Sequence, residues 1–362
     1  PDRMPFNQPR RLRAGARVFP EEISSALLIC DVWLRRVIAG VGAPIDGRCR
    51  LVWSTVLQPQ IPQFHPLTRK AVESPLDVGV KAINGLLTIG KGQRVGLMAG
   101  SGVGKSVLLG MITRCTSAEV VVVGLIGERG REVKEFIEHA LQAAGMAKSV
   151  VVAAPADESP LMRIKATGLC HAIASHYRDR GKDVLLLVDS LTRYAMAQRE
   201  IALSLGEPPA TKGYPPSAFG IIPKLVETAG NAEGEGTMTA IYTVLAEGAD
   251  QQDPTVDCAR AALDGHIVLS RQLAETGHYP AIDIGQSISR CMSLVTAEPH
   301  QQAARDLKQL YADYMASKPL LPTMNTQPGP KRSASTPATM HPRLRNTIAR
   351  LLAFKAVAAS KP

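Results

Sequence analysis

The sequence predicts an α/β fold built on a doubly wound, mostly parallel sheet. Short runs of β-branched and aliphatic residues, at 120–126, 150–153 and 184–188, alternate with segments of helical periodicity at 131–144 and 161–178. Continuous apolar runs are typical of strands buried on both faces, and strands that alternate with helices of this length form parallel sheets. Further strands are predicted at 237–244 and 281–284, and a helix is predicted to end near residue 315.

Composition limits the class of protein. The chain has 362 residues, of which 45% are hydrophobic and 20% charged, so it can bury the core of one or two domains and is not a disordered protein. No apolar run is long enough to cross a bilayer, so we expect neither a signal peptide nor a membrane span. The six cysteines form no CxxC pair, which is typical of reduced thiols in a cytosolic protein and gives no support to a zinc site.

The net charge of +10 is concentrated at the two ends of the sequence. Residues 1–17 carry a charge of +4 and residues 318–362 carry +8, which leaves about −2 for the residues between them. Aromatic residues make up only 4% of the chain. The central part therefore lacks the broad basic face and the stacking platforms of a nucleic-acid-binding protein.

A glycine-rich turn lies between the apolar run 94–98 and the helical segment 106–113. Such a turn points backbone N–H groups at phosphate oxygens, and the start of the helix adds a favourable dipole. Lys105 would contact the β- and γ-phosphates, and the Ser106 hydroxyl would bind Mg²⁺. The alternative is a turn that only caps a helix, but the strand, the helix and the Lys-Ser pair all favour a phosphate loop. Its residues are Ala99, Gly100, Ser101, Gly102, Val103, Gly104, Lys105 and Ser106, with Val107 continuing the helix.

Two acidic positions follow predicted strands. Asp189 ends the run 184–188 and can hold the hydration shell of Mg²⁺, although by itself it could equally be a buried residue before a turn. Glu128 follows the run 120–126, where a carboxylate faces the ligand crevice of an α/β sheet and can orient a water molecule. Arg129 beside it could contact the γ-phosphate. From spacing alone, a charged turn that opens a helix explains Glu128 and Arg129 equally well.

Several longer segments resemble the flagellar type III export ATPases, which are similar to the catalytic subunits of rotary ATP synthases and to the ATPases of virulence injectisomes. The resemblance covers about residues 16–310. It rests on AGSGVGKSVLLGM from Ala99, GLIGERGREV from Gly124, DSLTRYAMAQRE from Asp189, GEPPATKGYPPS from Gly206, LDGHIVLSR from Leu263 and GHYPAID from Gly277.

The resemblance implies roles for individual residues. It makes Glu128 the catalytic carboxylate, Arg129 a γ-phosphate contact and Asp189 the acid associated with the metal. Tyr279 matches an aromatic residue that packs on adenine, although without the family it would be a core tyrosine. Arg290 matches the arginine finger that acts on the nucleotide of a neighbouring subunit, and without the family it would be a surface arginine. A finger in trans requires a closed head-to-tail ring, so the resemblance implies a homohexamer.

The resemblance also implies the fold and the partners. We expect a RecA-like P-loop NTPase domain at 21–295, preceded at 1–20 by a remnant of an N-terminal β-barrel and followed at 296–362 by a partial helical domain. The expected cofactors are ATP and Mg²⁺. The expected partners are a stator-like regulator, a stalk protein, an export gate and complexes of export substrates with their chaperones. We expect a cytoplasmic protein at the inner face of the membrane, at the base of the flagellum.

Three further functions compete with this one. The chain could be a non-catalytic scaffold with an incomplete barrel, but the presence of Lys105, Glu128, Asp189 and Arg290 argues against it. It could be an injectisome ATPase, although the flagellar versions of the motifs fit better. It could be a ring-shaped nucleic-acid motor, which the near-neutral central part and the scarcity of aromatic residues disfavour.

Overall fold

The computed structural model describes residues 27–29, 33–48, 55–57, 67–245 and 253–317. The twelve strands in this part of the chain are β1 (Leu27–Ile29), β2 (Arg36–Ala39), β3 (Thr55–Leu57), β4 (Pro75–Leu76), β5 (Ile89–Gly90), β6 (Arg94–Ala99), β7 (Val120–Ile126), β8 (Ser149–Ala154), β9 (Asp183–Asp189), β10 (Thr237–Leu245), β11 (Gly265–Leu269) and β12 (Ile282–Ser289).

The α-helices in the same residues are α1 (Lys81–Leu86), α2 (Lys105–Cys115), α3 (Gly130–Glu135), α4 (Gln142–Met146), α5 (Pro160–Arg178), α6 (Leu191–Ser204), α7 (Pro216–Val226), α8 (Pro254–Ala262), α9 (Arg271–Glu275), α10 (Met292–Val295) and α11 (Glu298–Ser317). A π-helix at Phe136–Leu141 joins α3 to α4, and a 3₁₀ turn at Thr211–Gly213 precedes α7.

An eight-stranded sheet organises the described residues, in the order β12-β11-β6-β10-β9-β7-β8-β2. Every neighbouring pair in it is parallel except β11 with the edge strand β12. The pairings β1-β3 and β4-β5 form two small antiparallel sheets. The predicted doubly wound, mostly parallel sheet is confirmed.

Both faces of the large sheet are covered, as the apolar runs predict. Alternate residues of β7 belong to two separate cores: Val120 and Val122 pack with residues of α5 to α8, whereas Val121 and Val123 pack with residues of α1 and α2. All seven residues of β7 are buried. Helices on both faces explain why these strands show no alternation of polar and apolar residues.

Two elements differ in detail from their predicted form. The helix predicted at 131–144 contains the π-helix, in which one extra residue is accommodated within the helical turn. The strand predicted at 281–284 continues to Ser289 as the antiparallel edge strand β12. Its later residues are partly exposed and polar, so the apolar pattern that marks a central strand is missing there.

The chain divides into two compact units, one ending at Thr296 and the other beginning at Ala297. In the second unit the structure describes α11, which confirms the predicted helix. The predicted barrel remnant at 1–20 and the basic residues of 318–362 lie outside the described residues. Within the described part of the chain, no helix is both long enough and apolar enough to cross a membrane.

Candidate active site

The glycine-rich turn connects β6 to α2, as predicted. Gly102 and Gly104 have φ angles of +77° and +87°, in the left-handed region that favours glycine. Gly104 is the N-cap of α2, and no side chain caps the first N–H groups of this helix. Those N–H groups and the helix dipole form a site for an anion of the size of a phosphate group.

Lys105 lies between two carboxylates. Its Nζ is 2.7 Å from Asp189 Oδ1 and 3.1 Å from Glu128 Oε1. Lys105 follows β6, Glu128 follows β7 and Asp189 ends β9. The carboxyl ends of these parallel strands lie at the same end of the sheet. Burial disfavours the ammonium form of Lys105, but the attraction of Asp189 and Glu128 outweighs it and raises the pKa of the lysine. The structure thus brings together three of the predicted catalytic residues.

Asp189 ends β9 and is buried. Besides the contact with Lys105, its Oδ1 accepts a hydrogen bond of 2.6 Å from the hydroxyl of Thr243 in β10. Thr243 could not be identified from the sequence, because only the register that pairs Tyr242 with Val188 places it beside Asp189. A threonine within an apolar strand carries no signal of this role.

Glu128 follows β7 and is mostly buried, with 14% of its side chain exposed. Burial and the nearby charge of Asp189 raise its pKa to about 7, against the opposing effect of Lys105. A hydrogen bond with Glu132 favours the protonated form of Glu128 and lowers the pKa of Glu132. Glu128 therefore changes its charge near neutral pH, which suits a group that accepts a hydrogen bond or a proton from water.

Arg129 points to solvent. Its side chain is 84% exposed, and its Nη1 lies 3.9 Å from Glu132 Oε1. The Arg129 backbone N–H donates to Glu132 Oε2, so the glutamate satisfies a backbone donor at the start of α3 as the N3 residue of a capping box does. The helix-opening interpretation thus describes Arg129 and Glu132 in this structure, whereas Glu128 faces Lys105.

A cleft of about 370 Å³ opens beside the phosphate loop. Tyr279 lines it and is 60% exposed, so it is not a core tyrosine. Its ring lies against Gly104, since a Cβ at Gly104 would be 3.4 Å from Tyr279 Cε1. The remaining lining is mostly apolar, namely Val103, Val107, Leu108, Met111, Leu269, Pro280 and Ala281. A planar, mostly apolar group attached to a phosphate chain fits this shape.

The oxygen donors at the site suit a hard cation. Ser106 is an exposed residue of the first turn of α2 and carries a hydroxyl, and Asp189 supplies a carboxylate. Among the described residues no cluster of three or more His, Cys, Asp or Glu side chains could hold a metal by itself. Mg²⁺ is typically bound by one or two protein oxygens together with phosphate oxygens, so this donor set fits Mg²⁺.

Arg290 lies at the opposite end of the sheet. Arg290 follows Ser289, the last residue of β12, and Ser289 pairs with Gly265 at the amino end of β11. Strand β6 is parallel to β11, and the phosphate loop follows the carboxyl end of β6. The guanidinium donates to the carbonyls of Leu263 and Arg260, over 3.1 and 3.5 Å. The structure therefore does not bring Arg290 to the phosphate loop of its own chain, which is what a contribution in trans requires.

Comparison with known proteins agrees with this geometry. Residues 79–289 match the model of the ATP synthase alpha/beta family, nucleotide-binding domain. The chain is 57% identical over 319 residues to the flagellum-specific ATP synthase of Pseudomonas aeruginosa, which covers 88% of this chain and 71% of that protein.

Solved structures show the same fold. An ATPase from the type III secretion system of pathogenic bacteria matches with a TM-score of 0.81 and 43% identity, over 91% of this chain and 92% of that one. The assembled ATPase EscN of enteropathogenic E. coli, in complex with its central stalk EscO, matches with a TM-score of 0.80 and 41% identity, over 91% and 77%. The chain therefore belongs to the ATP synthase alpha/beta family.

Proposed function

We propose that this chain hydrolyses ATP with Mg²⁺ at the interfaces of a homohexameric ring, and that hydrolysis assists the release, unfolding and export of flagellar proteins. The observation that carries the hydrolytic part is the position of Lys105, between Glu128 and Asp189 and at the start of an uncapped helix. The export part is supported by 57% identity to a flagellum-specific ATP synthase. An injectisome function has weaker support, because the matched secretion ATPases are 41–47% identical.

Within this proposal ATP occupies the phosphate loop with its adenine against Tyr279. Lys105 exchanges its contacts with Asp189 and Glu128 for phosphate oxygens, and the N–H groups of the glycine-rich turn bind the same phosphates. Ser106 and Asp189 would hold Mg²⁺, which supplies charge neutralisation at the phosphate oxygens when it is bound. Binding of the metal would therefore use the same carboxylate that Lys105 contacts in this structure.

Glu128 orients the attacking water in the proposed reaction. Its carboxylate leaves the contact with Lys105 when the lysine turns to phosphate, and it then accepts a hydrogen bond from water. Arg129, which is exposed next to it, and Arg290 of the neighbouring subunit would offset the charge that develops on the transferred phosphoryl group. Arginine is suited to offsetting this charge because its planar guanidinium can bind two phosphate oxygens at once.

The proposed partners follow from the same relationship. EscN was solved with its central stalk EscO, which supports a stalk protein in the centre of a ring formed by this chain. A stator-like regulator, an export gate and complexes of substrates with chaperones complete the proposed apparatus. The proposed location is the cytoplasmic face of the membrane at the base of the flagellum.

The test is MgATP hydrolysis measured against protein concentration, with the mass of the assembly recorded in parallel. We expect activity to rise cooperatively as hexamers form. Glu128→Gln should lower kcat about a hundredfold or more, and Arg290→Ala about a thousandfold. Matched controls are Glu138→Gln and Arg131→Ala, which remove exposed i,i+4 pairs from the nearby helical segment and should leave kcat within twofold.

A monomer that hydrolyses ATP as fast as the assembled protein, or an Arg290→Ala variant with full activity, would contradict hydrolysis at subunit interfaces. Export is tested separately, by the amount of flagellar protein secreted by cells that carry only the Glu128→Gln variant. Normal secretion by those cells would contradict the coupling of hydrolysis to export.

A further inference from the structure

Arg290 is attached to its own subunit through the turn that precedes β11. Its backbone N–H donates to the carbonyl of Asp264 over 3.0 Å, and its Nη1 donates to the carbonyl of Leu263 over 3.1 Å. Guanidinium has five N–H donors, so the contacts of the side chain with the carbonyls of Leu263 and Arg260 leave most of them for another acceptor. Both the backbone and the side chain of Arg290 are thus positioned by residues 263 and 264.

The strands β11 and β12 approach each other closely at this point. Gly265 has a φ of +151° and pairs with Ser289, and a Cβ at Gly265 would lie 2.5 Å from the carbonyl oxygen of Ile288. Only glycine allows the two strands to approach so closely. The position of Arg290 therefore depends on the position of the Asp264–Gly265 turn.

Asp264 is in turn fixed by Arg94, the first residue of β6. Its Oδ2 accepts from the backbone N–H of Arg94 over 3.0 Å and from Nε over 2.9 Å, and its Oδ1 accepts from Nη2 over 3.1 Å. The carbonyl of Asp264 also accepts a 3.0 Å hydrogen bond from the buried side chain of Gln93. A bidentate pair of this kind defines both the distance and the orientation of its partners.

The guanidinium of Arg94 is itself supported. Its Nη1 lies 2.7 Å from Glu227 Oε1, and 17% of the arginine side chain is exposed. Strand β6 runs from Arg94 to Ala99, the first residue of the phosphate loop. One strand therefore carries the phosphate loop at its carboxyl end and the support of Arg290 at its amino end.

We infer that Arg94 and Asp264 are positioning residues that hold Arg290 where it can reach the nucleotide of the neighbouring subunit. The inference rests on the proposed action of Arg290 in trans. A finger acts only when its guanidinium is held within about 0.5 Å of the position from which it hydrogen-bonds to the transferred phosphoryl group, and a long side chain on a loosened turn spends most of its time elsewhere. Neither Arg94 nor Asp264 lines the cleft beside the phosphate loop.

The first test is a double-mutant cycle on kcat. Asp264→Asn keeps the shape of the side chain but cannot accept the bidentate pair. We expect it to lower kcat about tenfold and to change KM for ATP less than twofold. If Asp264 acts through Arg290, then Asp264→Asn combined with Arg290→Ala should be no slower than Arg290→Ala alone.

Asp46→Asn is the matched control. Asp46 forms an equivalent bidentate pair with Arg36, over 2.6 and 2.9 Å, at the other edge of the sheet. Because Asp46 is independent of Arg290, the fold-loss of kcat in the double variant Asp46→Asn/Arg290→Ala should equal the product of the fold-losses of the two single variants. If Asp264→Asn fails to fold, Arg94→Lys takes its place, because lysine keeps the charge and one contact with Asp264 but loses the bidentate geometry.

The second test mixes subunits within one ring. A Lys105→Ala subunit has an inactive site of its own but supplies an intact Arg290. Mixed with Arg290→Ala subunits, it should restore hydrolysis at the sites of those subunits. Lys105→Ala subunits mixed with Asp264→Asn subunits should also raise the activity per Asp264→Asn subunit severalfold. The phosphate loop of an Asp264→Asn subunit is intact, and the Lys105→Ala neighbour supplies it with a correctly positioned Arg290.

The outcomes distinguish a failure of the proposed function from a failure of the positioning role. If Lys105→Ala subunits rescue neither variant, Arg290 does not act in trans and the proposed function fails. If they rescue Arg290→Ala but not Asp264→Asn, or if the double variant is much slower than Arg290→Ala, the positioning role is wrong and Asp264 only stabilises its own subunit.

Discussion

Thr243 donates a hydrogen bond of 2.6 Å to Asp189 Oδ1, the carboxylate oxygen that also contacts Lys105. The two residues come from neighbouring parallel strands, and both are buried. A donor of this kind restricts the rotation of the carboxylate, so it determines which direction the other oxygen of Asp189 faces. Residues that orient a metal-associated carboxylate commonly affect metal affinity as much as activity.

We therefore expect Thr243→Val to raise the Mg²⁺ concentration needed for half-maximal hydrolysis by about tenfold. Valine has a similar shape, so the main change is the loss of the hydroxyl. The measurement is the rate at saturating ATP as Mg²⁺ is varied. Thr239→Val is the control, because Thr239 is a buried threonine of the same strand whose hydroxyl accepts from the Gly92 N–H. An equal change in both variants would contradict a specific effect on Asp189.

The pKa of Glu128, raised to about 7, predicts how stability depends on pH. The folded protein favours the protonated carboxyl, so the contribution of Glu128 is most favourable below pH 4.5 and is lost as the pH rises through 7. Gln resembles the protonated form at every pH. Glu128→Gln should therefore differ from the native protein by less than about 1 kcal/mol near pH 5, become progressively more stable than it as the pH rises to 7, and remain roughly 3 kcal/mol more stable above pH 7.

The measurement is the free energy of unfolding of both proteins between pH 5 and 8.5, without nucleotide. Glu138→Gln, at an exposed ion pair, should show no such trend. A constant difference between native protein and Glu128→Gln across this range would mean that Glu128 is ionised throughout, and that its burial does not control its charge.

Tyr279 should contribute to affinity for the base of the nucleotide. Its ring lies beside Gly104 at the mouth of a mostly apolar cleft. Stacking of a base on an aromatic side chain contributes about 1–3 kcal/mol, so Tyr279→Ala should weaken ATP binding about 5- to 150-fold, whereas Tyr279→Phe should bind nearly as well as the native protein. The Kd for ribose triphosphate, which has no base, should be the same in all three. A loss of affinity for both ligands in Tyr279→Ala would instead indicate damage to the phosphate loop.

The Arg36–Asp46 pair should stabilise the edge of the sheet at β2. Its two side chains are about 9% and 10% exposed, and the guanidinium holds the pKa of Asp46 at about 2. This stabilisation is present above pH 4 and is lost as the pH falls through 2. Asp46→Asn should therefore cost about 2 kcal/mol at pH 7 and little at pH 2.

The comparison for this pair is Glu119→Gln, which removes the contact with Lys182 between side chains that are about half exposed. Solvent screens such a pair, so its loss should cost less than about 1 kcal/mol. Unfolding by denaturant at pH 7 measures both variants. Equal losses would mean that burial adds nothing to the strength of the Arg36–Asp46 pair.

The sheet could be predicted from sequence because its central strands are buried on both faces. The runs 120–126 and 184–188 are apolar without alternation, and they became β7 and β9 with little change in their bounds. The edge strand β12 was predicted only in its first residues, since exposure on one side removes that pattern. The π-helix at Phe136–Leu141 left no mark in the sequence, because its side chains keep a helical pattern of burial.

The sequence by itself determined the phosphate loop and the two carboxylates of the site, because each is encoded by a short contiguous segment at the end of a strand. Only the tertiary structure decided that Thr243 reaches Asp189, that Tyr279 lies on Gly104, and that Arg290 stands at the opposite end of the sheet from Lys105. Those relationships depend on register and strand order between segments far apart in the chain, and no local pattern of residues specifies them.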